Sequence, residues 1–244
     1  MARYLLATTP ATGHVTPALA LAAALVDRGH EVRWYTGRAF AGDVEATGAL
    51  HCPIVAGHDF GGRTADEIFP ELAGLTGIAQ VRQWFIRGFI DAAEGALRDC
   101  QAILADFPAD AVVANPVFVA ARWLHELGGP PWATFGDSIL ATYSRDAAPV
   151  GTGLMPMRGP LGHARNRLLN SIHRRFVLRP VSDHYERARA RVGLPRLDLS
   201  FMETFTSPYL YLQGTVASCE YPRRDLERQV HFVGPFLPRG DESF

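Results

Sequence analysis

Lysine is absent from this 244-residue chain, and all 24 of its basic side chains are arginines. Its absence excludes the nucleotide-binding loop G-x-x-x-x-G-K-[ST], in which a lysine contacts the phosphates. Cysteine is scarce, because Cys52, Cys100 and Cys219 lie far apart and form no C-x-x-C pair. This pattern argues against a disulfide framework and a zinc site, and it fits a reducing compartment. We therefore expect a cytoplasmic protein without a zinc site.

Strong net charge and long apolar runs are also missing. The formal net charge is −1, so no overall field favours nucleic acid or an acidic membrane surface as a partner. The apolar stretch in "MARYLLATTP" ends after a few residues, and the run from Ala18 to Val26 is too short to cross a bilayer. Hydrophobic residues make up 48% of the chain, which is enough to bury a sizeable core. The composition thus predicts a globular protein without a membrane span.

The sequence does contain an alternation of strand-like and helix-like segments. Apolar, β-rich runs bounded by turn residues predict strands at Arg3–Thr9, His30–Thr36, Ala49–Val55, Asp110–Asn115, 130–137 and Pro208–Gly214, with a short one in "QVHFVG". Helical patterns lie between most of them. Strands that alternate with helices form a parallel sheet with right-handed crossovers. The predicted fold class is therefore α/β, a Rossmann-like doubly wound parallel sheet flanked by helices.

Three longer segments lie between these strands. A helix is predicted from Ile78 to Phe107, because its apolar residues recur at intervals of three and four: Val81, Trp84, Phe85, Phe89, Ala92, Ala96 and Ile103. That spacing is typical of a core face more than of a ligand pocket. Ser138 to Pro160 has no period, so we expect a mobile or substrate-facing loop. Residues 163–193 read as one or two arginine-rich helices, and a solvated face is favoured over a nucleic-acid surface.

The segment "TTPATGHVTP", Thr8 to Pro17, joins the first strand to the first helix. We expect Thr16 to cap that helix and Pro17 to open it. A dinucleotide fingerprint is disfavoured because the loop has Gly13 alone where G-x-G-x-x-G is needed. The remaining interpretations use His14, which lies where doubly wound sheets bind ligands. A helix N-terminus disfavours positive charge, so a neutral imidazole there is suited to general-base chemistry; a plain hydrogen bond to a loop carbonyl is the alternative.

The chain as a whole resembles the N-terminal, acceptor-binding half of the inverting GT-B glycosyltransferases. The resemblance is to the bacterial branch that glycosylates macrolides, polyketides and similar natural products. It is carried by Gly13-His14-Val15 with Pro17, by "LALAAALVDRGHEVRWYT", by the segment Pro108 to Phe135 and by "VHFVGPFLPR". These matches cover nearly all of the chain in order.

The resemblance implies a reaction and a set of site residues. His14 would take the proton from an acceptor hydroxyl while that oxygen attacks the anomeric carbon of a nucleotide diphosphate sugar, with inversion. The acceptor would be a hydrophobic, polyketide-like small molecule, and no cofactor or metal would be bound by this part of the enzyme. We predict that Thr12, Gly13, Phe60, Phe118, Ser138 and Tyr143 contact the substrate, Phe118 and Tyr143 because their segments follow strand ends. His58-Asp59 is another possible contact, although a polar turn is the commoner role of such a pair.

The sequence departs from the family at the residue that supports the base. In much of the family an aspartate after the fourth strand holds the histidine and stabilises the imidazolium. The matching position here is Asn115, which can orient the ring but brings no negative charge. Asp137, after the fifth strand, is a possible substitute carboxylate, with a turn or cap role as its alternative.

The second departure is length, because nothing here resembles the family's C-terminal donor-binding domain. We predict an acceptor-binding domain over residues 1–234 and the start of an interdomain linker over 235–244. On this interpretation the chain is part of a longer enzyme and would not transfer sugar at a useful rate alone. The alternative is a non-catalytic binding or helper protein derived from such an enzyme. The sequence specifies neither the sugar, nor the acceptor, nor an oligomeric state.

Overall fold

The computed structural model describes residues 1–61, 63, 65–72 and 74–237. In that part of the chain seven strands form one parallel sheet, in the order β3-β2-β1-β4-β5-β6-β7. The strands are β1 (Arg3–Ala7), β2 (Glu31–Thr36), β3 (Leu50–Pro53), β4 (Ala111–Ala114), β5 (Trp132–Gly136), β6 (Leu210–Gln213) and β7 (Val230–Phe232). The order reverses between β1 and β4, which is where open parallel sheets bind ligands. The predicted doubly wound sheet is confirmed.

The helices that alternate with these strands cover both faces of the sheet. They are α1 (Thr12–Asp27), α2 (Ala41–Ala46), α3 (Ala65–Ile68), α4 (Gly77–Gln83), α5 (Ala93–Asp106), α6 (Ala120–Glu126), α7 (Gly159–Ile172) and α8 (Arg179–Arg191). Two π-helical segments, Trp84–Ile90 and His173–Val177, follow α4 and α7. Helices α7 and α8 are the two arginine-rich helices that the sequence predicts.

Two apolar layers sandwich the sheet. On one face Val15, Ala18 and Ala22 of α1 pack against Leu6 and Trp34. On the other face α5, α6 and α8 pack against the remaining strand side chains, among them Leu5, Ala7 and Val112. Burial on both faces explains why the strands read as nearly continuous apolar runs.

The first helix begins earlier than the sequence predicts. The N–H groups of His14 and Val15 donate to the carbonyl of Ala11, at 2.9 and 3.0 Å, so the helix starts at Thr12. The expectation that Thr16 caps it and Pro17 opens it is wrong. Pro17 lies inside the helix, where its missing N–H removes only the bond to the Gly13 carbonyl. His14 therefore lies in the first helical turn and not in a loop.

The predicted helix Ile78–Phe107 is interrupted by the π segment. Because a π-helix winds more residues per turn, it shifts the phase of the apolar face along the helix. Val81 is 49% exposed, so its predicted place in the core is wrong. Phe85 and Phe89, within the π segment, are half-buried and pack against the core below α5.

Residues 137–158 contain no helix or strand, as predicted for this loop, and the segment 220–225 holds them in place. Glu220 accepts the N–H of Leu140 at 2.8 Å, and Asp225 accepts the hydroxyl of Ser144 at 2.6 Å. Asp146, 8% exposed, accepts the Arg224 guanidinium at 2.7 Å. Hydrogen bonds from Arg224 hold the pKa of the Asp146 carboxyl well below its usual range. The loop is anchored to the far edge of the sheet.

The end of the described chain still packs on the sheet. Phe236 meets the ring of Phe135 edge to face, with centroids 6.0 Å apart. Of the predicted linker 235–244, residues 238–244 lie outside the described residues. The boundary between 234 and 235 stays a prediction.

Candidate functional site

A histidine and an aspartate from distant parts of the sequence meet above the sheet. His14 Nδ1 lies 2.5 Å from Asp137 Oδ2. His14 stands in the first turn of α1, directly after β1, while Asp137 is the residue that follows β5. The carboxylate side chain is 3% exposed and the imidazole 23%. The pair therefore combines a buried anion with a ring that reaches solvent.

This contact fixes what the imidazole can do. A carboxylate accepts hydrogen bonds, so the proton of a neutral His14 lies on Nδ1 and Nε2 keeps its lone pair. A ring so oriented can take a proton from a hydroxyl at Nε2, and the carboxylate stabilises the resulting imidazolium. A hydrogen bond to an ionised carboxylate is charge-assisted and stronger than one between two neutral groups. The arrangement has the chemistry of a general base with its orienting acid.

The hydrogen bonds of the Asn115 side chain go to Thr9. Its Oδ1 accepts the backbone N–H of Thr9 at 3.0 Å, and its side chain is buried. The amide is thus used to hold the strand end of β1 against β4. In this structure the Asn115 side chain is turned toward Thr9, and the Asp137 carboxylate faces Nδ1 of His14. A role for Asn115 in orienting the imidazole stays a prediction.

An apolar pocket lies beside the pair at the carboxyl ends of β1, β2 and β4. Its walls include Phe60 and Phe118, which are 5% and 8% exposed, together with Tyr35 and Phe89. Phe89 joins pocket and base, since its ring centroid is 6.3 Å from that of His14. The cavity volume is about 30 Å³, which leaves room for only a few water molecules. The aromatic walls are closed against one another.

The other predicted contacts are dispersed. Thr12 and Gly13 are exposed in the first turn of α1, and a Cβ placed on Gly13 would meet no atom within 4 Å. Ser138 is exposed beside Asp137, and its carbonyl accepts Nε2 of Gln213 at 2.7 Å. The structure brings Phe60 and Phe118 together in the pocket.

Tyr143 lines a second, more open cleft beside α7 and α8. Its hydroxyl lies 2.8 Å from His173 Nδ1, and the Arg174 guanidinium lies 4.2 Å above its ring. Burial raises the pKa of the Tyr143 phenol to about 12. Tyr143 is therefore part of a packed polar cluster and not of the pocket beside His14.

Sequence reasoning did not single out Tyr35 as a pocket residue, and it favoured the core over a pocket for Phe89. Tyr35 stands near the carboxyl end of β2, and applying the strand-end rule to β2 as well as to β1 would have found it. The helical spacing of Phe89 favours a place in the core. In the structure Phe89 lies in the π segment, and its ring packs edge to face against His14. His58 lines the pocket, and Asp59 accepts the Gly61 N–H at 3.0 Å as turn residues do.

In the described part of the chain, no three His, Cys, Asp or Glu side chains are grouped so as to hold a metal ion. Of the helices formed by the same residues, none has both the length and the apolar character needed to cross a membrane.

The doubly wound sheet is the fold of the N-terminal domains of GT-B glycosyltransferases. The crystal structure of the glycotransferase of kitacinnamycin superposes with a TM-score of 0.68 over 100% of this chain and 54% of that chain, at 18% identity. A family model described as the glycosyltransferase family 28 N-terminal domain matches residues 4–134. The chain belongs to this family, and the resemblance inferred from the sequence is confirmed.

Two relatives extend over almost the whole chain. It is 46% identical over 244 residues to 4'-demethylrebeccamycin synthase of Lentzea aerocolonigenes, which covers 100% of this chain and 58% of that protein. It is 28% identical over 251 residues to UDP-glycosyltransferase 2 of Phaeomoniella chlamydospora, covering 98% and 54% respectively. The chain therefore spans a little over half the length of these relatives.

Proposed function

We propose that this chain is the acceptor-binding half of an inverting glycosyltransferase that acts on a hydrophobic natural product. The observation that carries the proposal is the His14–Asp137 pair at the rim of an apolar pocket. A base with a free Nε2 serves a hydroxyl group, and aromatic walls serve an apolar ring system. Residues 1–234 would form the acceptor domain and 235–244 would begin the linker to a donor domain.

The proposed reaction is a single displacement. The acceptor O–H gives its proton to His14 Nε2 as its oxygen forms a bond to the anomeric carbon of the sugar. The bond between that carbon and the diphosphate oxygen breaks, and the nucleoside diphosphate leaves with the electron pair. Attack opposite the leaving group inverts the anomeric configuration. Asp137 stabilises the imidazolium formed in this step and does not itself take the proton.

The substrates are proposed from the chemistry of the site and from the relatives. The pocket of about 30 Å³ is far below the 300–1,000 Å³ range of ligand sites. The aromatic walls would therefore separate when an acceptor enters. We propose the sugar-free precursor of 4'-demethylrebeccamycin as the first acceptor to test, because that compound is named in the relative at 46% identity. The donor is proposed to be a nucleotide diphosphate sugar held by the remaining length of the enzyme, since UDP appears in the name of the second relative.

The test is a screen of the full-length enzyme with UDP- and dTDP-sugars and that acceptor. We expect a glycoside whose anomeric configuration, read from NMR coupling constants, is opposite to that of the donor. Retention of configuration would contradict the single displacement. Tight binding of the acceptor with no product from any donor would favour the alternative, a non-catalytic helper protein.

A further inference from the structure

One wall of the pocket is a loop that follows β3. Residues 54–61 supply Ile54, His58 and Phe60 to the pocket lining. Helix α5 and the residue before it supply the opposite wall through Ala92, Ala93 and Ala96. The width of the pocket therefore depends on how residues 54–61 are positioned relative to α5.

The loop is seated on one carboxylate, that of Asp99 on α5. Asp99 Oδ2 accepts the backbone N–H groups of Val55, Ala56 and Gly57, at 3.0, 2.9 and 3.1 Å. Three successive N–H groups that converge in this way form an anion-binding nest, and here the anion belongs to the protein.

The Tyr35 hydroxyl donates to the same oxygen at 2.9 Å. Burial raises the pKa of Tyr35 above its ordinary value, and the nearby Cys100 and Asp99 act in the same direction. The phenol therefore stays protonated and remains a donor to Asp99. Since Tyr35 itself lines the pocket, the carboxylate joins the loop, the helix and a third wall.

The close approach of loop and helix also requires a glycine. Gly95 lies one turn before Asp99 on the same face of α5, and a Cβ placed there would lie 2.0 Å from the Ala56 carbonyl oxygen. No real Cβ tolerates that distance from a backbone atom, so any other residue displaces the loop. Gly95 and Asp99 together form a seat shaped for the backbone of residues 55–57.

We propose that Asp99, with Gly95 beside it, is a positioning residue that sets the acceptor pocket by fixing residues 54–61 against α5. The proposal rests on the proposed function for the identity of the ligand. Asp99 touches neither the base nor the reacting atoms, and its effect reaches the acceptor through Ile54, His58 and Phe60. Changes at this seat therefore alter acceptor binding and leave the donor and the chemical step unaffected.

The test compares Asp99→Asn and Gly95→Ala in the full-length enzyme with Asp106→Asn as the matched control. Asp106 lies on the same helix and is exposed. With the sugar-free precursor of 4'-demethylrebeccamycin as acceptor, we expect the acceptor KM to rise about tenfold in both seat variants, the scale of one lost hydrogen bond to a charged group. The donor KM and kcat should stay within about twofold. Amide hydrogen exchange of residues 55–57 should accelerate in both variants and not in the control.

The outcomes separate the two proposals. The positioning role of Asp99 and Gly95 would be contradicted if the variants transfer sugar with an unchanged acceptor KM. It would also be contradicted if hydrogen exchange at residues 55–57 is unchanged. A lower kcat together with a higher donor KM would also contradict the proposal, because these changes indicate general destabilisation. Absence of transfer by the unmodified enzyme would overturn the proposed function, and the seat's role in acceptor binding with it.

Discussion

The two ring nitrogens of His14 have different surroundings. Nδ1 faces the buried carboxylate of Asp137 at 2.5 Å, and Nε2 is the nitrogen that we propose takes the proton of the acceptor. The sequence predicts the histidine, because a strand followed by a helix start is where such sheets place ligands. The sequence does not predict which side chain faces the ring, because that depends on how far β5 projects past β4. Asn115 stands at the position of the family's aspartate, whereas Asp137 is the residue within hydrogen-bonding distance of the ring.

Substitutions at this pair test the proposed base. In the full-length enzyme, His14→Ala is expected to lower kcat by about 10²–10⁴, the usual contribution of a general base. Asp137→Asn should also lower kcat, because a neutral amide cannot stabilise the imidazolium. His14→Ala leaves the Asp137 carboxylate, 3% exposed, without its partner, so this variant should also unfold at a lower temperature. Steady-state kinetics are therefore measured well below the unfolding midpoint of each variant, with circular dichroism to check that it is folded. Wild-type turnover in His14→Ala would rule out His14 as the base.

A substitution at Asn115 separates its role from that of Asp137. Asn115→Ala removes the acceptor for the buried Thr9 N–H, so we expect a loss of about 1–3 kcal/mol in the free energy of unfolding. At temperatures where the variant is folded, its kcat should match that of the unmodified enzyme. Urea unfolding and initial-rate measurements provide the two readouts. A lower kcat with an unchanged free energy of unfolding would indicate that Asn115 supports the proposed base directly.

At the scale of elements, strand and helix identities were predictable while their boundaries and phases were not. The alternating pattern predicts all seven strands, since each is a short apolar run between turn residues. The start of α1 was misplaced because a Thr-Pro pair is a common helix opening, whereas the Ala11 carbonyl already closes the first turn. The predicted helix Ile78–Phe107 assumes one α-helical period throughout, whereas the π segment has more residues per turn and shifts the apolar face. Local geometry of this kind leaves little signal in one sequence.

One ion pair between elements carries a stability prediction. Arg189 of α8 is 1% exposed, and its Nη1 lies 2.5 Å from Glu126 Oε2 at the end of α6. Glu126→Ala leaves the guanidinium buried with the Pro195 carbonyl as its remaining acceptor. We expect a loss of about 3 kcal/mol in the free energy of unfolding, measured by urea denaturation.

The comparison for this pair lies on the same helix. Arg179 is 74% exposed in its pair with Asp183, so Arg179→Ala should cost less than about 1 kcal/mol. Combining Glu126→Ala with Arg189→Met should recover part of the lost stability, because an apolar side chain does not need a counterion. Equal effects of Glu126→Ala and Arg179→Ala would contradict the buried-pair interpretation.

At the scale of the whole molecule, the loop 137–158, which follows β5, is tied to the segment 220–225, which lies between β6 and the edge strand β7. The sequence predicts a segment without helix or strand, and the structure adds the contacts that hold it. Those contacts join residues about 80 positions apart, such as Asp146 with Arg224, so no local pattern reveals them. The order of the strands follows from handedness rules, whereas side-chain pairings across the molecule do not.

The Asp146–Arg224 pair predicts a dependence of folding stability on pH. Because Arg224 lowers the pKa of Asp146 in the folded state, the ionised carboxylate stabilises the fold above its unfolded pKa of about 3.9. As pH falls below that value, the unfolded state takes up a proton first and this stabilisation is lost. Asp146→Asn should therefore unfold at a lower temperature than the unmodified chain at pH 6, and the difference should shrink below about pH 4. Thermal melts across this range measure it, and a constant difference would contradict the pKa shift.

The pair described above bridges two strands that are not neighbours. β4 separates β1 from β5, so the two strands that precede His14 and Asp137 are about 10 Å apart across the sheet. A slip of one residue in β5 would turn Asp137 to the other face and bring Gly136 or Ser138 to its place. If His14 and Asp137 act as proposed, sugar transfer by the full-length protein depends on the register of β5. A misfolded population in which β5 is out of register would then show no activity, even if its secondary structure content were normal.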